Sequence, residues 1–472
     1  MTTVLEDGSR ARAPLAAAPG PARGADPDPG PGGVPLLPRP AVRGPRHFAA
    51  SPSQEALWSG LADRTAPPVV LGALRLTGRL DVPALAAAWR TVSNRHETLR
   101  SGYRMHGGVL TQVVSGEPQW PLPVSLAEVL PSQVAKAIAA ERELPFDLAR
   151  GPLARLRLLR RGPGDHVAVF VLHHLIADGA ALELLVAELA AAYRGVLPDR
   201  PAAQYADVAA WQRQRSAEGH DAESTRYWRR RLSGAEPAVL PWDLAPPGGV
   251  EHTAGIARTL SFPLPPELVA KIAEAARRHG TSVQVVGLTA FQLLLACWSG
   301  QRDVCVRVPV PERGRAGEPP MLARLSEAVV QRTDLTGTPS FGEVVDQVRL
   351  TSAWDFAHHG IPLEPVAAQM RRPGLVEQLG HVQFGGVDAP PAGGPRWGAV
   401  PWGGRLRAEP FAICPGPAAR PLALLLRHDG QTARFAVTFD SALFSEARIR
   451  QLGADYTGML TDVADHPRER FR

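Results

Sequence analysis

Lysine is almost missing from this chain: of its 52 basic residues only Lys136 and Lys271 are lysine. The arginines that replace it are interleaved with acids, as in Glu141-Arg142-Glu143. A net charge of +6 spread over 472 residues leaves no basic run or face for a nucleic acid. Cysteine is nearly as scarce. Cys297, Cys305 and Cys414 are too few and too irregularly spaced for a disulfide framework or a zinc site, which predicts a reducing, cytoplasmic setting. Long apolar runs are missing too. The longest, 283–298, is shorter than a membrane span and is interrupted by Gln284, Thr289 and Gln292, so it reads as a buried core helix. The first residues carry Glu6, Asp7 and then prolines where a signal peptide needs a basic segment and an apolar run. There is no fixed-period repeat, phosphate-binding glycine loop, metal-ligand spacing or Gly-x-Ser-x-Gly elbow, which leaves nucleotide, zinc and serine-hydrolase chemistry without support.

What is present is apolar material for a large core: 44% of residues are hydrophobic and 21% charged, more than one compact domain usually holds. Residues 1–45 contain 10 prolines and 7 glycines without a hydrophobic period, which predicts a disordered tail. From residue 46 the texture changes. A strand is expected at 69–76, a helix at 82–94 with Leu85, Trp89 and Val92 on one face, and a hairpin from 99–104 and 109–114 around Gly107-Gly108. A helix at 132–144 and apolar strands at 154–160 and 166–172 follow. A second series starts near residue 226, with helices at 265–278 and 282–298, strands at 304–310 and 328–335, a helix at 340–356, paired strands within 421–439 and a closing helix from 445. The pattern predicts an α/β fold with two lobes, 46–225 and 226–472, and a cleft between them. The segment 386–404, with Trp397 and Trp402 among Pro and Gly, reads either as an arm crossing between lobes or as an ordinary loop.

One connection stands apart. The strand at 167–172 runs into His173-His174-Leu175-Ile176-Ala177-Asp178-Gly179 and then into a helix-like run at 180–193. A bare His-x-x-x-Asp is expected by chance roughly 0.7 times at this composition, whereas the full His-His-x-x-x-Asp-Gly is expected roughly 0.002 times. The residue types suit proton transfer. An imidazole with a pKa of about 6.5 can take a proton from an attacking amine or hydroxyl, or hold that nucleophile by a hydrogen bond. A buried aspartate needs a partner, which gives Asp178 an architectural role, and Gly179 allows close backbone approach or positive φ and leaves room for a substrate arm. The alternative is a core histidine pair beside a helix that Asp178 caps.

The same residues carry a resemblance. The motif from His173 to Gly179 is similar to the core motif of condensation domains of nonribosomal peptide synthesis, in the chloramphenicol-acetyltransferase-like superfamily. Matching stretches run in order over roughly 46–465. They include Ser51-Pro52-Ser53-Gln54, Arg95-His96-Glu97-Thr98-Leu99-Arg100, Pro145-Phe146-Asp147, Tyr205 to Trp211, Tyr227-Trp228, Gln331-Arg332 and His359-Gly360-Ile361-Pro362-Leu363-Glu364. The resemblance implies two acetyltransferase-like lobes in a V with a tunnel between them, entered by phosphopantetheine arms. It implies a donor acyl or aminoacyl thioester on a carrier protein and an amine or alcohol acceptor, free or carrier-bound, with no bound cofactor and no metal. His174 would be the catalytic histidine, Asp178 would pair with Arg313, and His173 would shape the loop. Ala181, Ala323 and Glu327 depart from the usual Ser, Gly and Asn and bear on the acceptor and the cleft shape.

The leading expectation is a free-standing condensation enzyme of secondary metabolism. The alternatives are an acyltransferase using acyl-CoA or a polyketide carrier, and a silent module that recruits another protein. His358-His359 lacks a following Asp-Gly and reads as structural. Arg95, Glu97 and Arg100 read as ion-pairing a corner, and the cluster Arg226, Arg229, Arg230 and Arg231 reads as a solvated helix face or as a surface for an acidic carrier protein.

Overall fold

The computed structural model describes residues 44–61, 68–115, 124–198, 204–244, 255–310, 321–325, 327–388, 400–413 and 416–471. Residues 1–43 of the expected disordered tail lie outside them, as does Cys414. The first half carries β1 (Arg46–Ala49), β2 (Val69–Thr77), β3 (Ser101–His106), β4 (Val109–Val114), β5 (Val124–Glu128), β6 (Ala154–Gly162) and β7 (Asp165–His173). The second carries β8 (Ala257–Pro263), β9 (Asp303–Val310), β10 (Glu327–Asp334), β11 (Val382–Asp388), β12 (Arg407–Pro410), β13 (Leu422–His428) and β14 (Ala433–Asp440). They pair into a three-stranded sheet β1-β4-β3, a five-stranded sheet β12-β2-β7-β6-β5 and a six-stranded sheet β10-β9-β11-β13-β14-β8.

The strand that leads into the histidine motif is the middle one of its sheet, and both of its faces are covered. Each residue from Val167 to Leu172 is at most 1% exposed. Ala168, Phe170 and Leu172 share a core with Leu182, Leu185 and Leu189 of the helix Gly179–Tyr193, while Val167, Val169 and Val171 pack with Val134 and Ile138 of the helix Val134–Glu143. Successive side chains of a strand point to opposite faces, so an unbroken apolar run is what a strand covered on both sides requires.

The long apolar run of the second half is the buried helix Val283–Ser299, capped by the Ser282 hydroxyl and ended by Gly300 at φ 72°. Among the described residues no single helix is long and apolar enough to cross a membrane. The β3–β4 turn is the pair Gly107-Gly108, at φ 56° and 81°, as a two-residue hairpin turn demands. Leu99 and Arg100 differ from the expected strand and close a 3₁₀ turn, Glu97–Arg100. The Gln204 side chain accepting from the Glu97 amide, and the Thr98 hydroxyl donating to the Leu322 carbonyl, hold that corner.

β12 departs from the expected division at residue 225. It returns from the second half and pairs antiparallel with β2, Arg407 opposite Thr77 and Pro410 opposite Leu74. Before it, Trp402 enters the first-half core, 1% exposed, with its ring 5.9 Å from that of Tyr193. The incoming chain lies so close to Gly78, at φ 116°, that a Cβ there would sit 2.5 Å from the Arg405 carbonyl oxygen. The later part of the 386–404 segment is therefore a crossing arm, and its residues 389–399 lie outside the described residues.

Candidate active site

β7 delivers His173 to its end, and the backbone turns at once. The His173 amide donates to Leu153, the His174 amide to Pro68, and the Ile176 amide back to His173, at 2.9, 2.9 and 3.0 Å. His173 is 3% exposed, accepts from the Leu175 amide at Nδ1 (3.1 Å) and meets the Phe146 ring edge-on at 6.0 Å. Accepting at Nδ1 assigns that nitrogen as unprotonated and leaves Nε2 to carry the proton. His174, next to it, is partly exposed. One imidazole is thus locked into the loop while its neighbour keeps access to solvent.

Asp178 closes the loop as the N-cap of the helix Gly179–Tyr193. Its Oδ1 accepts from the Ala181 amide at 2.8 Å. Its Oδ2 accepts from the Leu325 amide at 3.0 Å, so the same carboxylate also holds the backbone of the second half. The capping role foreseen as the alternative is real and is combined with a tether. Arg313, the partner implied by the resemblance, lies outside the described residues. Gly179 corrects one expectation. It enters the helix without positive φ because the extended Asp178 makes the change of direction, and a Cβ there would meet no atom of the described residues within 4 Å. What it provides is open space at the helix start.

Beneath the loop lies a residue whose role sequence reasoning missed. Gln54, fully buried in the first turn of the helix Pro52–Ser59, accepts from the Ser51 amide at 3.0 Å and donates from Nε2 to Tyr103 Oη and to the Leu175 carbonyl, both at 2.9 Å. The Ser51 hydroxyl accepts from the Gln54 amide and meets Tyr205 Oη at 2.8 Å. The signal available was the capping box Ser51-x-x-Gln54. Gln54→Leu keeps the volume but strands the Leu175 carbonyl and the Ser51 amide. It is expected to cost about 2–4 kcal/mol, measured by urea denaturation.

The helix behind the loop is fixed by Glu188, 7% exposed, with His96 Nε2 at 2.6 Å and Arg95 Nε at 3.2 Å. Burial alone would raise the Glu188 carboxyl, but the hydrogen bonds and charges of His96 and Arg95 outweigh it and hold the group below the usual carboxylate range. A depressed carboxyl stabilises the fold above its unfolded pKa, and the contribution is lost as pH falls through the folded value. Glu188→Gln is therefore expected to lower stability by about 1–3 kcal/mol at pH 7, with the gap to wild type narrowing below about pH 4 in urea titrations.

The remaining candidates sort into structural roles. Glu97 pairs with Arg46 at 2.7 Å and lies 3.9 Å from Arg100, as expected of the corner. His358 stacks between Tyr227 and Trp354 and bonds to Ser224 Oγ, and His359 bonds to the Phe356 carbonyl. Arg231 is no solvated face: it reaches the fully buried Asp355 and the Arg332 carbonyl, whereas Arg229 and Arg230 are exposed. Burial pushes the Cys305 thiol up to about 12, far from a thiolate nucleophile. Among the described residues no cluster of His, Cys, Asp and Glu could hold a metal ion.

Known proteins resemble this chain in sequence and fold. A family model, the Condensation domain, matches residues 46–382. A linear gramicidin synthase of Brevibacillus parabrevis is 34% identical over 354 residues, which cover 71% of this chain and 7% of that protein, so the chain spans a small fraction of that relative's length. The X-domain from teicoplanin biosynthesis superposes with a TM-score of 0.78 at 26% identity, covering 93% of this chain and 98% of its own. The X-domain in its complex with OxyB gives 0.80 at 24%, covering 93% and 96%. This chain belongs to the condensation-domain family, an α/β fold of two chloramphenicol-acetyltransferase-like lobes.

Proposed function

We propose that this protein is a condensation enzyme. It would join an acyl or aminoacyl thioester, carried on the phosphopantetheine arm of a carrier protein, to an amine or alcohol in secondary-metabolite synthesis. The new C–N or C–O bond forms as the C–S bond breaks, and the proton lost by the nucleophile ends on the departing thiol. The observation that carries this reading is the partly exposed His174 beside a locked His173, in a loop pinned by Gln54 on one side and by the Asp178–Leu325 contact on the other. His174 takes or steers the nucleophile's proton, Asp178 fixes the loop, and the open space at Gly179 admits the arm. Thioester aminolysis is downhill, so holding the reactants together (about 7–11 kcal/mol) and one positioned base (about 10²- to 10⁴-fold) suffice, without a resident cofactor.

The test is made in trans. Purified protein is mixed with a separate carrier protein loaded with a panel of acyl groups, or with the same groups on coenzyme A, and with amine and alcohol acceptors, and products are identified by mass spectrometry. Carrier-dependent product supports the reading, product from coenzyme A thioesters alone replaces it with an acyl-CoA acyltransferase, and no product from any donor rejects it. The solved X-domain in complex with OxyB favours one second reading, a module that recruits a protein partner. Partner binding without any transfer is its signature.

A further inference from the structure

Pro145-Phe146-Asp147 matches the condensation-domain pattern, yet the reaction above makes no use of it. Phe146 follows the helix Val134–Glu143, whose last carbonyls have no intrahelical amide to accept from. Arg155 of β6 supplies the missing donors. Its Nη2 donates to the carbonyls of Glu141 and Leu144, at 2.9 and 2.8 Å, and its Nη1 to that of Pro145 at 3.2 Å. These bonds lay the guanidinium over the Phe146 ring, its carbon 3.9 Å from the ring centre, where a cation is attracted to the aromatic face.

Phe146 packs against the cores on both faces of β7, and its ring lies 6.0 Å from the His173 imidazole at 83° to it. The chain around it is held as well. Asp147 Oδ1 accepts from the amides of Ala149 and Arg150, the Tyr103 amide donates to Leu148, and the Leu153 carbonyl accepts from the His173 amide. An imidazole can turn over about its Cβ–Cγ bond, which exchanges Nδ1 with a carbon. In the observed orientation Nδ1 accepts from the Leu175 amide at 3.1 Å; turned over, the ring would leave that amide unpaired in a residue that is fully buried. The Leu175 carbonyl is already held by Gln54, so with the His173 ring in place the residue after His174 is fixed on both sides.

We propose that Phe146 and Arg155 are positioning residues for the reaction, an inference that rests on the condensation reading above. Arg155 holds Phe146, Phe146 stops the His173 ring from turning over, and the ring's bond to the Leu175 amide keeps His174 at the angle from which it handles the nucleophile's proton. Neither residue needs to touch a reactant.

The test separates position from stability. Phe146→Leu, Phe146→Tyr, Arg155→Met and the double variant Phe146→Leu with Arg155→Met are assayed where urea curves show each to be folded, using the carrier-loaded donor that wild type accepts. Phe146→Leu is expected to lower kcat about tenfold or more with both KM values within about twofold of wild type, because a misplaced base slows the step after binding. Phe146→Tyr keeps the ring and should keep most of the rate. Arg155→Met should also lose kcat, and the double variant should be no slower than Phe146→Leu, because the two residues act in series.

His173 reports without turnover. With histidine labelled in its ring nitrogens, and the signal assigned by its loss in His173→Gln, wild type should show a bare Nδ1 and a protonated Nε2. Phe146→Leu and Arg155→Met should draw the two nitrogen shifts together as the ring samples both orientations. Unchanged kcat in the folded Phe146→Leu variant, a loss that Phe146→Tyr does not restore, or an unchanged His173 spectrum in both variants overturns the proposal. Should Phe146→Leu not fold, Arg155→Met carries the same two readouts. If wild type forms no product from any donor, the condensation reading fails, and the spectrum alone supports or overturns the hold on the ring.

Discussion

Replacing His174 by alanine is expected to cut turnover by about 10²- to 10⁴-fold with the unfolding midpoint close to wild type. The two halves of that expectation come from different observations. The loss comes from chemistry: the nucleophile must shed a proton as it attacks, and His174 is the partly exposed imidazole of the motif. The expectation for stability comes from geometry, because alanine keeps the backbone amide contact of residue 174 with Pro68 that helps to order the loop. His173→Ala should behave differently. It removes the Nδ1 acceptor of the Leu175 amide and the edge contact with Phe146, so it should lower stability as well as activity. Rates by product mass spectrometry, paired with urea denaturation of the same preparations, check both. Turnover by the His174 variant at the wild-type rate would remove the proposed role of that imidazole.

The largest expected loss of stability is at Trp402. Trp402→Ala should cost about 3–5 kcal/mol in urea denaturation, because a ring that is 1% exposed and packed against Tyr193 leaves a cavity that the first-half core cannot fully close. Trp402→Phe should cost far less, about 1.5 kcal/mol or below, since the indole N–H has no hydrogen-bond partner among the described residues to lose. Hydrogen exchange gives a second readout. Amides of β12 and of the Leu74–Thr77 edge of β2 should lose protection in the alanine variant before those of β7, because the anchor lies just before β12 and β7 is bonded on both sides. Equal loss of protection in β7 and β12 would mean that the arm has no independent hold.

The elements legible in the sequence were those whose side chains carry the pattern. β7 was readable because covering both faces demands an unbroken apolar run, and the β3–β4 turn because two successive positive φ angles call for Gly107-Gly108. β12 was not readable, since Arg407–Pro410 has no apolar alternation and owes its existence to the free edge of β2. At the site, the motif from His173 to Gly179 could be found because its residues are contiguous. The part played by Gln54 could not, because its partners Tyr103 and Leu175 are 49 and 121 residues away. Asp178 reads in the sequence as an architectural carboxylate in need of a partner, but the Leu325 contact could not be foreseen, because the partner is a backbone amide and any residue can supply one.

The double engagement of Asp178 couples geometry to competence. Its two oxygens grip helix start and opposing backbone at 2.8 and 3.0 Å, so spreading the lobes apart would either break the Leu325 contact or drag the histidine turn with it. One carboxylate thereby makes the motif turn and the second-half backbone a single mechanical unit, so neither can shift without the other feeling it.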